Sequence, residues 1–163
     1  MPEQKRKRRV NLVPRAALLL MVVVAVAVAL FRVTSSGHGG DAENAAALWV
    51  VATTFNSNYQ HNDVGPVYDR WDPSSQELIS KSNYVRRHKI CPTTPGRATI
   101  RSVSRSTNGF WAVVYTISGV ARTDYWRFIN GEWRFNLARS NPDAVRLYRE
   151  PFAAYARDVG CRP

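Results

Sequence analysis

Residues 97–137 read RATIRSVSRSTNGFWAVVYTISGVARTDYWRFINGEWRFNL. Two Asn-Gly pairs, Asn108-Gly109 and Asn130-Gly131, each lie between runs rich in β-branched and aromatic residues. Asn-Gly favours a two-residue type I′ turn, because both central positions need positive φ. The stretch therefore predicts two tight hairpins joined through Ser118-Gly119, giving an antiparallel meander of four strands.

A two-residue loop at Asn130-Gly131 sets Ile129 opposite Glu132, Phe128 opposite Trp133, Arg127 opposite Arg134 and Trp126 opposite Phe135. One face then carries Trp126, Phe128, Trp133, Phe135 and Leu137, and the other Tyr125, Arg127, Ile129, Glu132, Arg134 and Asn136. That separation is expected of a sheet with one buried face, and a slip of one residue would expose the tryptophans. The same loop at Asn108-Gly109 pairs Ser104 with Val113, Ser102 with Tyr115 and Ile100 with Ile117. The inner face becomes Trp111, Val113, Tyr115 and Ile117, with Ile100, Ser102 and Ser104 beside them. Two inward serines next to large aromatics leave room for a pocket lined by Trp111, Tyr115, Asp124, Trp126, Ser102 and Ser104. The alternative is an edge strand over Arg97–Ser106, whose polar residues discourage unwanted pairing.

Charge is unevenly spread. The chain holds 23 basic and 12 acidic residues, a formal +11. Seven of those basic residues, with one acid, lie at or before Arg32, so more than half of the excess sits at the N-terminus. That pattern argues for a topology signal and against a nucleic-acid partner. The run Lys5-Arg6-Lys7-Arg8-Arg9 precedes an apolar segment from Leu12 to Phe31, interrupted only by Arg15. About twenty such residues suit a membrane-spanning helix, and the flanking cations set its N-terminus in the cytoplasm. The expected layout is a basic cytoplasmic tail (1–11), a transmembrane helix (12–32), a Ser/Gly-rich linker (33–40) and an extracytoplasmic domain (41–163). Ala25-Val26-Ala27, Ala27-Val28-Ala29 and Thr34-Ser35-Ser36 leave open a cleaved signal peptide and a secreted product.

Beyond the linker, Asp41 is read as the cap of a helix running to about Tyr59, with Trp49, Ala52, Phe55 and Tyr59 as its apolar stripe. Gly65-Pro66 is read as a break, followed by a short helix over Val67–Trp71. Asp72-Pro73 is a helix start, an acid at the cap and Pro at the first position, and Ser74-x-x-Glu77 offers an overlapping capping box. Helix in one or two pieces should reach about His88. Asn141-Pro142-Asp143 opens the last helix, with Val145, Tyr148, Phe152 and Tyr155 on its apolar side and Pro151 splitting or kinking it.

Helices, then an antiparallel sheet, then a helical tail is the order of an α+β cone fold. The helix Trp49–Tyr59, the segment Val67-Tyr68-Asp69-Arg70-Trp71-Asp72-Pro73 and the strands Gly109–Tyr115 and Tyr125–Leu137 together resemble the nuclear transport factor 2-like superfamily. The resemblance covers about Asp41 to Asn141 and implies helices packed on a curved sheet of at least four strands. Joined to a basic tail and one span, it is similar to envelope proteins of Gram-positive, especially actinobacterial, cells, some of them accessory subunits of transport or secretion assemblies. It implies a non-catalytic accessory or interaction domain with an envelope protein partner. The alternatives are a small-ligand-binding protein using the cavity between helices and sheet, or a small isomerase or dehydratase.

The residues themselves add the following. Two cysteines, Cys91 and Cys161, in an exported domain suggest one disulfide closing about seventy residues. They are not closely spaced, and the three histidines are scattered, so neither a metal site nor a cofactor is expected. No G-x-S-x-G and no Gly-rich phosphate loop occurs, so no catalytic residue is assigned. Asp124 is the best acid/base candidate, with His61, His88, Tyr68 and Tyr115 able to join it only through the fold. Arg101, Arg105, Arg127 and Arg134 form a candidate face for an anion or acidic partner, where Arg127 opposite Arg134 is unfavourable unless Glu132 or an anion intervenes.

Overall fold

The computed structural model describes residues 41–92 and 95–161, which form seven helices and four strands. Helix α1 spans Ala45–Gln60 and is capped by Asn44, whose side chain accepts from the Ala47 amide. Asp41, expected at that cap, instead accepts from the Trp133 amide at 3.0 Å and pairs with Arg70 at 2.8 Å. It therefore pins the start of the domain to the sheet. The buried side of α1 is Leu48, Ala52, Phe55 and Asn56, while Trp49 is 41% exposed. The expected stripe is rotated: Leu48, Ala52, Phe55 and Tyr59 also lie at helical spacing, and that side is the one packed towards the sheet.

Helix α2 spans Val64–Asp69 and contains Gly65-Pro66 rather than following it. Pro66 is tolerated because the first turn has no i−4 hydrogen bond to lose. Asp72 caps α3, Pro73–Gln76, accepting from the Ser75 amide at 2.8 Å, and Ser80 caps α4, Lys81–Ile90. Glu77 ends α3 and closes no capping box.

The strands are β1 (Ala98–Arg105), β2 (Trp111–Ile117), β3 (Val120–Ile129) and β4 (Glu132–Phe135), in the order β1-β2-β3-β4, all antiparallel. The second Asn-Gly hairpin has the register read from sequence, Ile129 with Glu132 through Trp126 with Phe135. Ser118 and Gly119 turn with φ of 49° and 81°, joining Ile117 to Val120. The first hairpin differs. Its Ser106 amide donates to the Phe110 carbonyl at 2.8 Å, so three residues, Thr107 to Gly109, form the loop. Val103 therefore faces Val113, one residue from the expected register, and a bulge between Ile100 and Ser102 shifts it again, setting Ile100 opposite Tyr115.

The expected cone is corrected. The sheet is open and is not curled into a cone. Bulges and glycine kinks are what bend a sheet strongly; the bulge in β1 lies on the edge strand, while the central β2 and β3 pair residue for residue from Trp111–Trp126 to Ile117–Val120. The far edge is short as well. After Phe135 the chain leaves the sheet, because Asn136 caps helix α5, Leu137–Ser140, accepting from the Arg139 amide at 2.8 Å. The edge of β4 is covered by the segment around Trp71: Asp72 donates to the Phe135 carbonyl and Phe135 to the Arg70 carbonyl.

Helix α6, Pro142–Arg149, is capped by Asn141, and Pro151 separates it from α7, Phe152–Asp158. Arg87 on α4 holds the end of α6 by donating to the carbonyls of Leu147 and Glu150. Cys91 and Cys161 form a disulfide that ties the tail to the end of α4. Trp71, Trp126, Trp133 and Tyr84 are the largest fully buried side chains and form the centre of the core.

The expectation of a single-pass protein, with the membrane as partner and a cell-membrane location, is corrected too. No helix among the described residues is long and apolar enough to cross a membrane. The tail 1–11, the span 12–32 and the linker 33–40 lie outside the described residues.

Candidate functional site

The short β4 creates the site. Residues Val120–Asp124 of β3 pair only with β2, because β4 meets β3 from Trp126 onward and the backbone of Tyr125 is taken up by the Asn136 amide and the Ser140 hydroxyl. The inner face near the Ser118-Gly119 turn is thus roofed by helices alone. Between that face, α1 and α6 lies a cleft of about 590 Å³, within the 300–1,000 Å³ of ordinary small-molecule sites. Its walls mix aromatic and aliphatic side chains, among them Phe55, Tyr59, Trp71, Tyr84, Leu137 and Tyr148, with polar ones such as Gln60, Arg122, Ser140 and Asp143.

Asp124, Tyr115 and Asn56 are buried polar members of that lining. Alternation along β3 puts Asp124 on the same face as Trp126 and leaves it 7% exposed. Its Oδ1 accepts from the Tyr115 hydroxyl at 3.1 Å. Burial pushes its pKa up to about 7, against a smaller downward pull from the Tyr115 hydrogen bond. Tyr115 is itself raised well above the usual phenol range, by burial first and then by Asp124. The third group is Asn56, 9% exposed, whose Nδ2 has no hydrogen-bond partner among the described residues. Such an orphaned buried donor costs roughly 1–3 kcal/mol, which a bound acceptor would offset. A polar residue on an otherwise apolar helical stripe was a signal the sequence offered for it. Tyr84 and Tyr148 carried none beyond aromatic character; burial raises both well above the ordinary phenol value.

Of the six pocket residues expected from sequence, Tyr115 and Asp124 line the cleft. Trp111 stacks edge-on against Trp133, with ring centres 5.4 Å apart, and Trp126 lies between Phe55 and Phe135. Both belong to the packed half of the inner face. Ser102 and Ser104 are exposed, on the opposite face. The shifted register of β1 carries them there.

The companions considered for Asp124 are mostly elsewhere. The Tyr68 hydroxyl donates to the carbonyls of Ile79 and Gln76. His61 is exposed at the end of α1, bonded to the Ser57 carbonyl. His88 is buried under Tyr84, with Nε2 3.1 Å from the Tyr148 hydroxyl, and burial lowers its pKa to about 4. It is outside the cleft lining. No group of three or more His, Cys, Asp or Glu able to hold a metal ion occurs among the described residues.

The arginine face is divided. Arg105 sits opposite Trp111, over whose ring its guanidinium lies at 4.7 Å, so it borders the helix side. Arg127 does face Arg134. Arg134 is turned aside by its pairing with Glu132 and by donation to the Asp69 carbonyl. Arg127 covers Phe110 at 3.9 Å, with Arg139 at 4.5 Å. These stems shield a ring from water. Arg101 is exposed at the bulge.

No family model matches the chain, and no curated protein or solved structure matches it either. The resemblance to the nuclear transport factor 2-like superfamily is therefore not upheld, either by a family match or by the open sheet. The expected membrane-anchored accessory module is corrected with it, since no spanning helix is found among the described residues.

Proposed function

We infer that the domain binds a small, mostly apolar organic molecule in the cleft between helices and sheet and releases it unchanged. The observation that carries this is the company Asp124, Tyr115 and Asn56 keep: buried polar groups set beside aromatic rings in a cleft of ligand size. Apolar walls supply affinity and the polar groups orient the guest. Among the described residues Asp124 is hydrogen-bonded to Tyr115, whose raised pKa makes it a poor acid or base near neutrality, so the pair is read as orienting the guest.

Calorimetric titration of the full chain with small aromatic alcohols and ketones tests this. Saturable one-to-one binding is expected, weakened at least tenfold by Ala144→Phe, which fills the cleft at a lining position. No saturable binding, or binding indifferent to Ala144→Phe in a variant with unchanged circular dichroism, would overturn it.

A further inference from the structure

Asp124 is a buried carboxyl group in the cleft, and its sole hydrogen-bond donor among the described residues is a neutral phenol. No Lys, Arg or His among the described residues forms an ion pair with it. A buried carboxylate without a counter-charge is costly, and either a proton or a bound cation relieves it. Tyr59, Trp71, Tyr84 and Tyr148 line the same cleft, Trp71 and Tyr84 almost wholly buried, and an aromatic ring attracts a cation that reaches its face. The charged residues lining the cleft are Asp124, Asp143 and Arg122; Asp143 and Arg122 are exposed, so solvent screens them more than it screens Asp124.

Resting on the ligand-binding reading above, we propose that the guest is an organic cation: an ammonium group docks against the Asp124 carboxylate while an apolar body lies among the aromatic rings. The Asn56 amide then donates to an acceptor on that body. An anionic guest would meet Asp124 as a like charge. A neutral guest would leave a proton as the one means of neutralising Asp124.

The ionisable groups facing Asp124 from the surrounding elements are Tyr115 on β2, Arg122 on its own strand, Tyr59 on α1, Tyr84 on α4, and Asp143 and Tyr148 on α6. Of these, Tyr115, Tyr84 and Tyr148 are pushed above the ordinary phenol value. Asp124 is thus a lining group placed to titrate near neutrality.

The test titrates the full chain with benzylammonium and with benzyl alcohol, two probes of similar shape and different charge. Above neutrality, at about pH 8, benzylammonium should bind at least tenfold tighter than the alcohol. Lowering the pH to about 6 should weaken the cation about tenfold, because Asp124 takes up a proton, and leave the alcohol unaffected. Asp124→Asn should bring the two affinities together. Tyr115→Phe keeps the ring but removes the bond that favours the carboxylate, so the midpoint of the cation's pH profile should move upward. Equal affinities above neutrality, with both probes still displaced by Ala144→Phe, would overturn the cation and leave the cleft as a binding site. Failure of both probes and of every neutral aromatic would overturn both.

Discussion

Asp124 and His88 are buried groups with opposite consequences for stability. Burial raises Asp124 from 3.8 to about 7. The folded state therefore keeps a proton that the unfolded chain releases, and this contribution is full below about pH 4 and lost as pH rises through about 7. Burial lowers His88 from 6.5 to about 4. Its contribution is full above about pH 6.5 and lost as pH falls through about 4. In the intervening range the two slopes oppose each other, so the wild type alone would conceal both. The difference between wild type and Asp124→Asn isolates the carboxyl. Measured by urea denaturation, wild type should gain relative stability, on the order of 4 kcal/mol, as pH falls from about 7 to about 4. A difference independent of pH would mean that Asp124 is not desolvated.

At the scale of elements, the disulfide joins the end of α4 to the tail across 70 residues of sequence. On the chain-entropy account such a loop contributes about 4 kcal/mol. Replacing Cys161 by Ser should lower the unfolding free energy by about that amount, checked by urea denaturation, with cleft binding retained where the variant stays folded. A loss below about 1 kcal/mol would argue that the tail is held by α7 packing instead. The elements also mark what could be read from the chain. The second hairpin was legible because its loop has two residues and its strands alternate strictly. The first carries the same dipeptide, but Asn108 and Gly109 take φ of 59° and 71° inside a three-residue loop. Asn-Gly signals positive φ without fixing the number of loop residues, and one residue decides which face Ser102 and Ser104 occupy. Asn136 reads equally well as an outward strand residue or as a helix cap. It is the cap, and β4 ends there. Leu48 and Trp49 both begin a plausible helical stripe, and only the position of the sheet decides between them.

At the scale of the molecule, a short β4 and a straight β2–β3 pair leave one half of the inner face packed by tryptophans and the other half hollow. The alternation that placed Asp124 on the aromatic face was visible in the sequence. The hollow was not, since it depends on where β4 ends and on how α6 lies across the sheet. The most direct measurement is amide chemical-shift mapping by NMR on the isotope-labelled full chain during titration with benzyl alcohol. Saturating shifts should concentrate at Asn56, Tyr115, Thr123, Asp124, Leu137 and Ala144. Shifts confined to the opposite sheet face, at Val114, Tyr125 and Arg127, or no saturating shifts at all, would contradict a ligand site between helices and sheet.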